Sequence, residues 1–190
     1  MELPTRPLTD AERLAWLRLI RTEHIGPMTF FRLLERYGSA AAALDAVQRL
    51  SARGGAGAMK AASREAAEAE IEGLAAIGGR LIARCEPDYP EALGHIADPP
   101  PVLSVRGDRA LFKRPCVAIV GARNASLNGK RLAETFAADL GANGLVVVSG
   151  LARGIDGAAH AAALATGTIA ALAGGVDVVY PNEHAMLYAA

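Results

Sequence analysis

Val117 to Asp156, VAIVGARNASLNGKRLAETFAADLGANGLVVVSGLARGID, is the stretch whose reading decides the fold. It holds two short apolar runs, Val117–Val120 and Leu145–Val148. A continuous apolar run of this length reads as a strand buried on both faces, as in a parallel sheet. Each run leads into a loop that carries glycine, Gly121-Ala122-Arg123 and Ser149-Gly150-Leu151-Ala152-Arg153-Gly154. Between them, Gly129–Leu140 has helical spacing, with Leu132, Phe136 and Leu140 on one side, and Gly141 and Asn143-Gly144 as stop signals. The unit is strand, loop, helix, strand, loop. In parallel α/β folds the loops after such strands are where ligands bind.

The chemistry of those loops points to an anion. Glycine lets the chain turn sharply and lets a ligand approach the main chain, and a following helix offers free amides and a positive dipole end. Arg123 lies two residues past Gly121. Arg106, Arg109, Lys113, Arg114, Arg123, Lys130 and Arg131 are opposed between 106 and 131 by Asp108 alone. From Leu132 onward only Arg153 opposes Glu134, Asp139, Asp156, Asp177 and Glu183. Such a local excess favours an anionic partner, while the zero net charge of the chain excludes a general polycation. Neither Gly-x-Gly-x-x-Gly nor Gly-Lys-Ser/Thr occurs, so the two common nucleotide fingerprints are missing. Asp156 and His160 are four apart on one helical face without an evident third metal ligand. Ser149 stands outside a Gly-x-Ser-x-Gly elbow, so Ser149, Asp156 and His160 do not spell a hydrolase triad.

Downstream, Asp156–Thr166 reads as an alanine-rich helix, Thr168–Leu172 as a third strand, Val176–Val179 as a further extended piece, and a terminal helix starts at Glu183. Upstream, residues 9–84 read as helical. Thr9 and Glu12 have capping-box spacing, Pro27 suits a helix start after Ile25-Gly26, and Gly38 stops the second helix. A third helix is expected over Ala40–Val47, a loop over 53–57, and a fourth helix over Ala58–Ile77. The helix, glycine turn and helix around Gly26 have the outline of a helix-hairpin-helix or SAM-like module, but with a single turn glycine these residues by themselves favour a plain packing or interaction bundle. Arg80–Ala83 and Val102–Val105 read as short strands, and the prolines between them, Pro87 to Pro101, as extended lead-in over 86–101. The expected domains are 1–84 and 85–190.

The chain has 190 residues and 52% apolar content, enough for a sizeable core. No run approaches the length of a membrane span, and the first residues lack the apolar stretch of a secretory signal. Cys85 and Cys116 read as two reduced thiols of a cytoplasmic protein.

Several blocks in order resemble one family, the DNA-processing protein A family (DprA, also called Smf). They are Ile119-Val120-Gly121-Ala122-Arg123, Val148-Ser149-Gly150-Leu151-Ala152-Arg153-Gly154-Ile155-Asp156, Ala159-His160, Gly167-Thr168-Ile169-Ala170, Gly174-Gly175-Val176-Asp177 and Tyr180-Pro181. The lead-in Tyr89-Pro90-Glu91-Ala92-Leu93 and Asp98–Leu103 also match. The resemblance implies an α/β fold: a Rossmann-like parallel sheet, incomplete in this chain, preceded by a small all-α domain. It implies a non-enzymatic, cofactor-free protein that binds and protects single-stranded DNA and helps load the RecA recombinase in natural transformation. A homodimer through sheet beyond Ala190 is implied as well. By the match, the DNA-binding residues are Gly121, Arg123, Lys130, Ser149, Gly150, Ala152, Arg153 and Gly154. Many relatives carry Lys or Arg where this chain has Gly167; Arg153 or Lys130 would supply that charge. The alternative is an enzyme of the phosphoribohydrolase type on a related fold, but the Pro-Gly-Gly-x-Gly-Thr-x-x-Glu motif of those enzymes does not occur.

Overall fold

The computed structural model describes residues 5–52 and 60–190. The loop expected at 53–57 and the start of the expected helix at Ala58 lie outside them. The chain divides into two compact units, Met1–Gly107 and Asp108–Ala190.

The first unit begins with α1, Asp10–Ile20. Its capping box forms: the Glu12 amide donates to Thr9 Oγ1 at 3.3 Å and the Thr9 amide to Glu12 Oε2 at 2.9 Å. Arg6 binds the same carboxylate, and hydrogen bonds from Arg6 and then from Thr9 hold Glu12 down at a pKa of about 2. Helix α2, Pro27–Tyr37, starts with Pro27 in its first turn and ends at Gly38, whose φ of 78° is the left-handed conformation glycine adopts without strain. Helix α3 covers Ala40–Ala52, longer than expected, and α4 Arg64–Ala76. Trp16 and Phe30 meet edge to face at 5.0 Å in a core with Leu19, Leu34, Leu44 and Val47.

Strand β1, Gly79–Ala83, a single turn α5, Glu91–Gly94, and strand β2, Val102–Arg106, complete this unit. The strands pair antiparallel, from Gly79 opposite Arg106 to Ala83 opposite Val102. Both ladder strands therefore belong to the helical unit, and the proline-dense lead-in connects two strands of one sheet. The division between the two compact units falls after Gly107. The Arg106-Gly107-Asp108 tripeptide is a strand end: Gly107 has φ 102° and Asp108 caps a 3-10 turn, Arg109–Lys113.

The second unit is α/β and Rossmann-like. Strands β3, Cys116–Ala118, β4, Val146–Ser149, and β5, Thr168–Ala170, form a parallel sheet in the order β3-β4-β5. Helix α6, Leu127–Ala142, joins β3 to β4, and α7, Ile155–Ala163, joins β4 to β5. Val176–Val179, expected to be extended, joins no ladder, and Val176-Asp177 is a turn. A 3-10 turn, Asn182–His184, leads into α8, Ala185–Ala189.

Helix α6 buries Ala133, Ala137 and Gly141, while Leu132 and Phe136 are more than half exposed. The small residues face inward because α6 packs closely on α7, whose buried side is mostly alanine and glycine. At Gly141 a Cβ would come within 2.1 Å of Thr166 Oγ1. No helix among the described residues is long and apolar enough to cross a membrane.

Candidate nucleic-acid interface

Strands β3 and β4 are parallel neighbours, so their C-terminal loops emerge side by side. The Ile119 amide still donates to Val148 O at 3.0 Å, and Ser149 Oγ, buried, donates back to Ile119 O at 2.6 Å. Ser149 therefore ties one loop to the other and is not free to act as a nucleophile.

Beyond that tie the loops interlock. The Ile155 amide donates to Ala122 O at 3.3 Å. Gly154 has φ 81° and ψ −121°, and a Cβ there would lie 2.1 Å from Ala122 O and 2.6 Å from Arg123 O. A Cβ on Gly121 would lie 2.6 Å from the Ile155 side chain, and one on Gly150 2.9 Å from Asp156 Oδ2. The glycines therefore serve loop-to-loop contact on the side where a Cβ would stand, while Gly121 and Gly150 remain exposed to solvent and only Gly154 is buried.

Within the second loop the Gly150 N–H donates to the buried Asp156 carboxylate at 3.2 Å. In the first turn of α7, Ile155 N–H donates to Ala122 O and Gly157 N–H to Ala152 O at 3.0 Å. Leu151, buried, sits at φ 55°, and its carbonyl accepts His184 Nδ1–H at 2.9 Å.

Arg123 lies at the tip of the first loop, exposed, and makes no ion pair among the described residues. Lys130 is exposed in the first turns of α6, which Ser126 caps by accepting the Gly129 amide at 3.1 Å. That turn abuts the start of α7: Gly129 would carry its Cβ 3.7 Å from Ile155 Cδ1. Gly121, Arg123, Ser149, Gly150, Ala152, Arg153 and Gly154 are brought together at one end of the sheet, with Lys130 at the margin.

Two charge expectations change. The basic run from Arg106 to Arg131 is continuous in sequence but divided in space. Arg106 belongs to the first unit. Arg114 stands before β3 and binds Thr166 O at 2.8 Å and Gly144 O at 3.1 Å, at the N-terminal end of the sheet. It satisfies carbonyls left open after α7 and α6. Gly167 lies at the same far end, with φ 107° and with Leu111 Cδ2 and Arg114 Nη1 2.8 and 3.1 Å from where its Cβ would be. A side chain there would be strained by the backbone and would have to displace the ends of Leu111 and Arg114, and position 167 is remote from the loops. Arg153, named as a compensating charge, is ion-paired with Glu183 at 3.1 Å.

His160 is 2% exposed. Thr168 Oγ1 donates to Val147 O at 2.8 Å, so it accepts from His160 Nδ1 at 2.7 Å. That leaves Nε2 buried and without a hydrogen-bond partner among the described residues. Burial pushes its pKa below the usual histidine value, so the ring is neutral in the fold. Ser149, Asp156 and His160 each turn to a different partner and form no triad. The sequence reading missed Glu183 and His184, since nothing local marks contacts thirty-odd residues away.

Residues 80–190 match the family model described as DNA recombination-mediator protein A. The chain belongs to this family. Residues 10–73 match the DprA-like N-terminal HHH domain. The DNA processing protein DprA of Streptococcus pneumoniae is 46% identical over 101 residues, which are 52% of this chain and 36% of that protein. Protein Smf of Escherichia coli is 40% identical over 103 residues, 53% of this chain and 28% of the relative. Among solved structures, DprA of Streptococcus pneumoniae superposes with a TM-score of 0.70 at 26% identity, covering 96% of this chain and 64% of that one. DNA processing protein A of Helicobacter pylori, described for its single-stranded DNA binding mode, gives 0.53 at 33% identity, covering 58% and 50%. The matched regions span about a third of the curated relatives' own length.

Proposed function

We propose that the second unit of this chain, Asp108–Ala190, binds single-stranded DNA through its phosphates, across the loops after β3 and β4. One observation carries the reading: Arg123 is an exposed cation without an ion-pair partner among the described residues, on a loop locked in place by the contact of Gly154 with Ala122 and Arg123. Holding the backbone of Arg123 in place lowers the ordering cost of bringing its guanidinium to a phosphate, compared with an arginine on a mobile loop. Lys130 adds a second, more peripheral charge. A backbone-tracking site of this kind has little sequence preference. Single-stranded DNA binding by the Helicobacter pylori relative supports the choice of ligand.

On this reading the protein is a binding protein of the cytoplasm and not an enzyme. It protects incoming strands and helps load RecA during natural transformation, working as a homodimer. The test is a titration with fluorescent oligothymidine at several salt concentrations. Arg123→Ala weakens binding about tenfold, the scale of one charge-assisted contact, and Lys130→Ala weakens it less. Equal affinity for wild type and Arg123→Ala would overturn the assignment.

A further inference from the structure

The 3-10 turn Asn182–His184 is strapped onto the second loop at two points. Arg153 Nε donates to Glu183 Oε2 at 3.1 Å, and His184 Nδ1 to Leu151 O at 2.9 Å. The second contact is built into α7: a Cβ on Gly157 would lie 2.5 Å from His184 Cε1, so only glycine admits the ring. Glycine weakens a helix relative to alanine, and here that weakness makes room for the strap. His184 and the buried Pro181 thus hold the turn beside the loop, and Glu183 is presented to Arg153.

We propose that Glu183 is a built-in rival of the DNA phosphate for Arg153. The inference rests on the phosphate-binding reading above. The guanidinium and the carboxylate are 54% and 55% exposed. Exposed pairs of this kind are weak, so a phosphodiester arriving from solvent can take the guanidinium. Because His184 keeps the strap docked, Glu183 does not leave when it is displaced. It stays at high local concentration, ready to reclaim Arg153. While displaced, its charge lies close to a bound phosphate and repels it. Arg153 is therefore a conditional contact, whereas Arg123 is a permanent one. The affinity of the site is set below what its cations alone would give.

Oligothymidine titrations of the full chain test this with four variants. Glu183→Gln binds about threefold to fivefold more tightly than wild type at low salt, and the gain shrinks as salt screens the exposed charges. In an Arg153→Ala background, Glu183→Gln gives no gain, since the rivalry has lost its object. Removing an exposed carboxylate elsewhere, Glu134→Gln, leaves affinity within about twofold. The proposal is overturned if Glu183→Gln binds no better than wild type. It is also overturned if the gain survives in Arg153→Ala, which would make it a general field effect. Failure of the phosphate-binding reading looks different: wild type and Arg123→Ala then bind alike, whatever residue stands at 183.

Discussion

The two units solve the packing problem with opposite materials. The first fills its core with large side chains: Leu17, Leu19, Phe30 and Ile82 are fully buried, and Trp16 meets Phe30 edge to face. The second is built from small ones. Ala137, Ala159 and Ala163 surround Val147, and the largest fully buried side chain there among the described residues is His160. It also leaves Val120, Leu127, Leu132 and Phe136 exposed, along with Cys116 and Ala118 on β3. Large side chains lower free energy by the apolar area they bury. Small ones allow backbones to approach, and the second unit uses that approach to seat one loop against another. The first unit is therefore sensitive to what is taken away, and the second to what is added.

The largest loss is expected at a polar junction of the first unit. Glu86 is buried and accepts from the amides of Leu8 at 3.1 Å and Ala83 at 2.8 Å, and it binds the guanidinium of Arg13. One carboxylate thus joins the N-terminal segment, α1 and the end of β1. Glu86→Ala strands two amides and a largely buried cation, at a cost of about 3–5 kcal/mol. Urea unfolding reads this directly. A loss below about 1 kcal/mol would mean that the apolar core alone holds these three segments, and the contrast between the units would weaken.

In the second unit the corresponding change is an addition. Gly154→Ala puts a methyl group 2.1 Å from Ala122 O at a φ of 81°. Strain and the forced separation of the loops cost about 2–3 kcal/mol. Oligothymidine affinity should fall with it, because Arg123 loses its fixed seat. If stability drops and affinity does not, the interlock is a packing device with no bearing on the interface.

How much of this was legible in the sequence follows the same division. Local signals were read correctly: the Thr9–Glu12 capping box, Pro27 in the first turn of α2, Gly38 as its stop, and β3, β4 and β5 to within a residue or two. Their causes lie within a few residues of chain. The family was legible as well, since its blocks are contiguous. What could not be read depends on three-dimensional approach. The cationic run divides because β3 carries the chain from one end of the sheet to the other between Arg114 and Arg123. Nothing local in the sequence shows that Gly121, Gly150 and Gly154 also serve loop-to-loop contact, with Ile155, Asp156 and Ala122 standing where a Cβ would be. Arg153 was read as a free charge, but its partner Glu183 is thirty residues on.

The helix α6 offers the finest form of the comparison, because adjacent residues should respond in opposite ways. Hydrophobicity alone marks Phe136 as the residue to protect and Ala137 as filler. The structure reverses this. Phe136 is 54% exposed, while Ala137 is fully buried against Val147 and Ala159. Phe136→Ser therefore changes stability by no more than about 0.5 kcal/mol, as is usual for exposed positions. Ala137→Leu pushes α6 away from the sheet and α7 and costs about 1–3 kcal/mol from overpacking. Paired thermal melts of the two variants decide it. A large loss from Phe136→Ser would mean that the outer face of α6 is covered in solution, and a neutral Ala137→Leu would mean that the α6–α7 contact is loose enough to absorb a larger side chain. Because Gly129 at the start of α6 abuts Ile155, a loose contact would also leave the loop carrying Arg123 without a fixed floor.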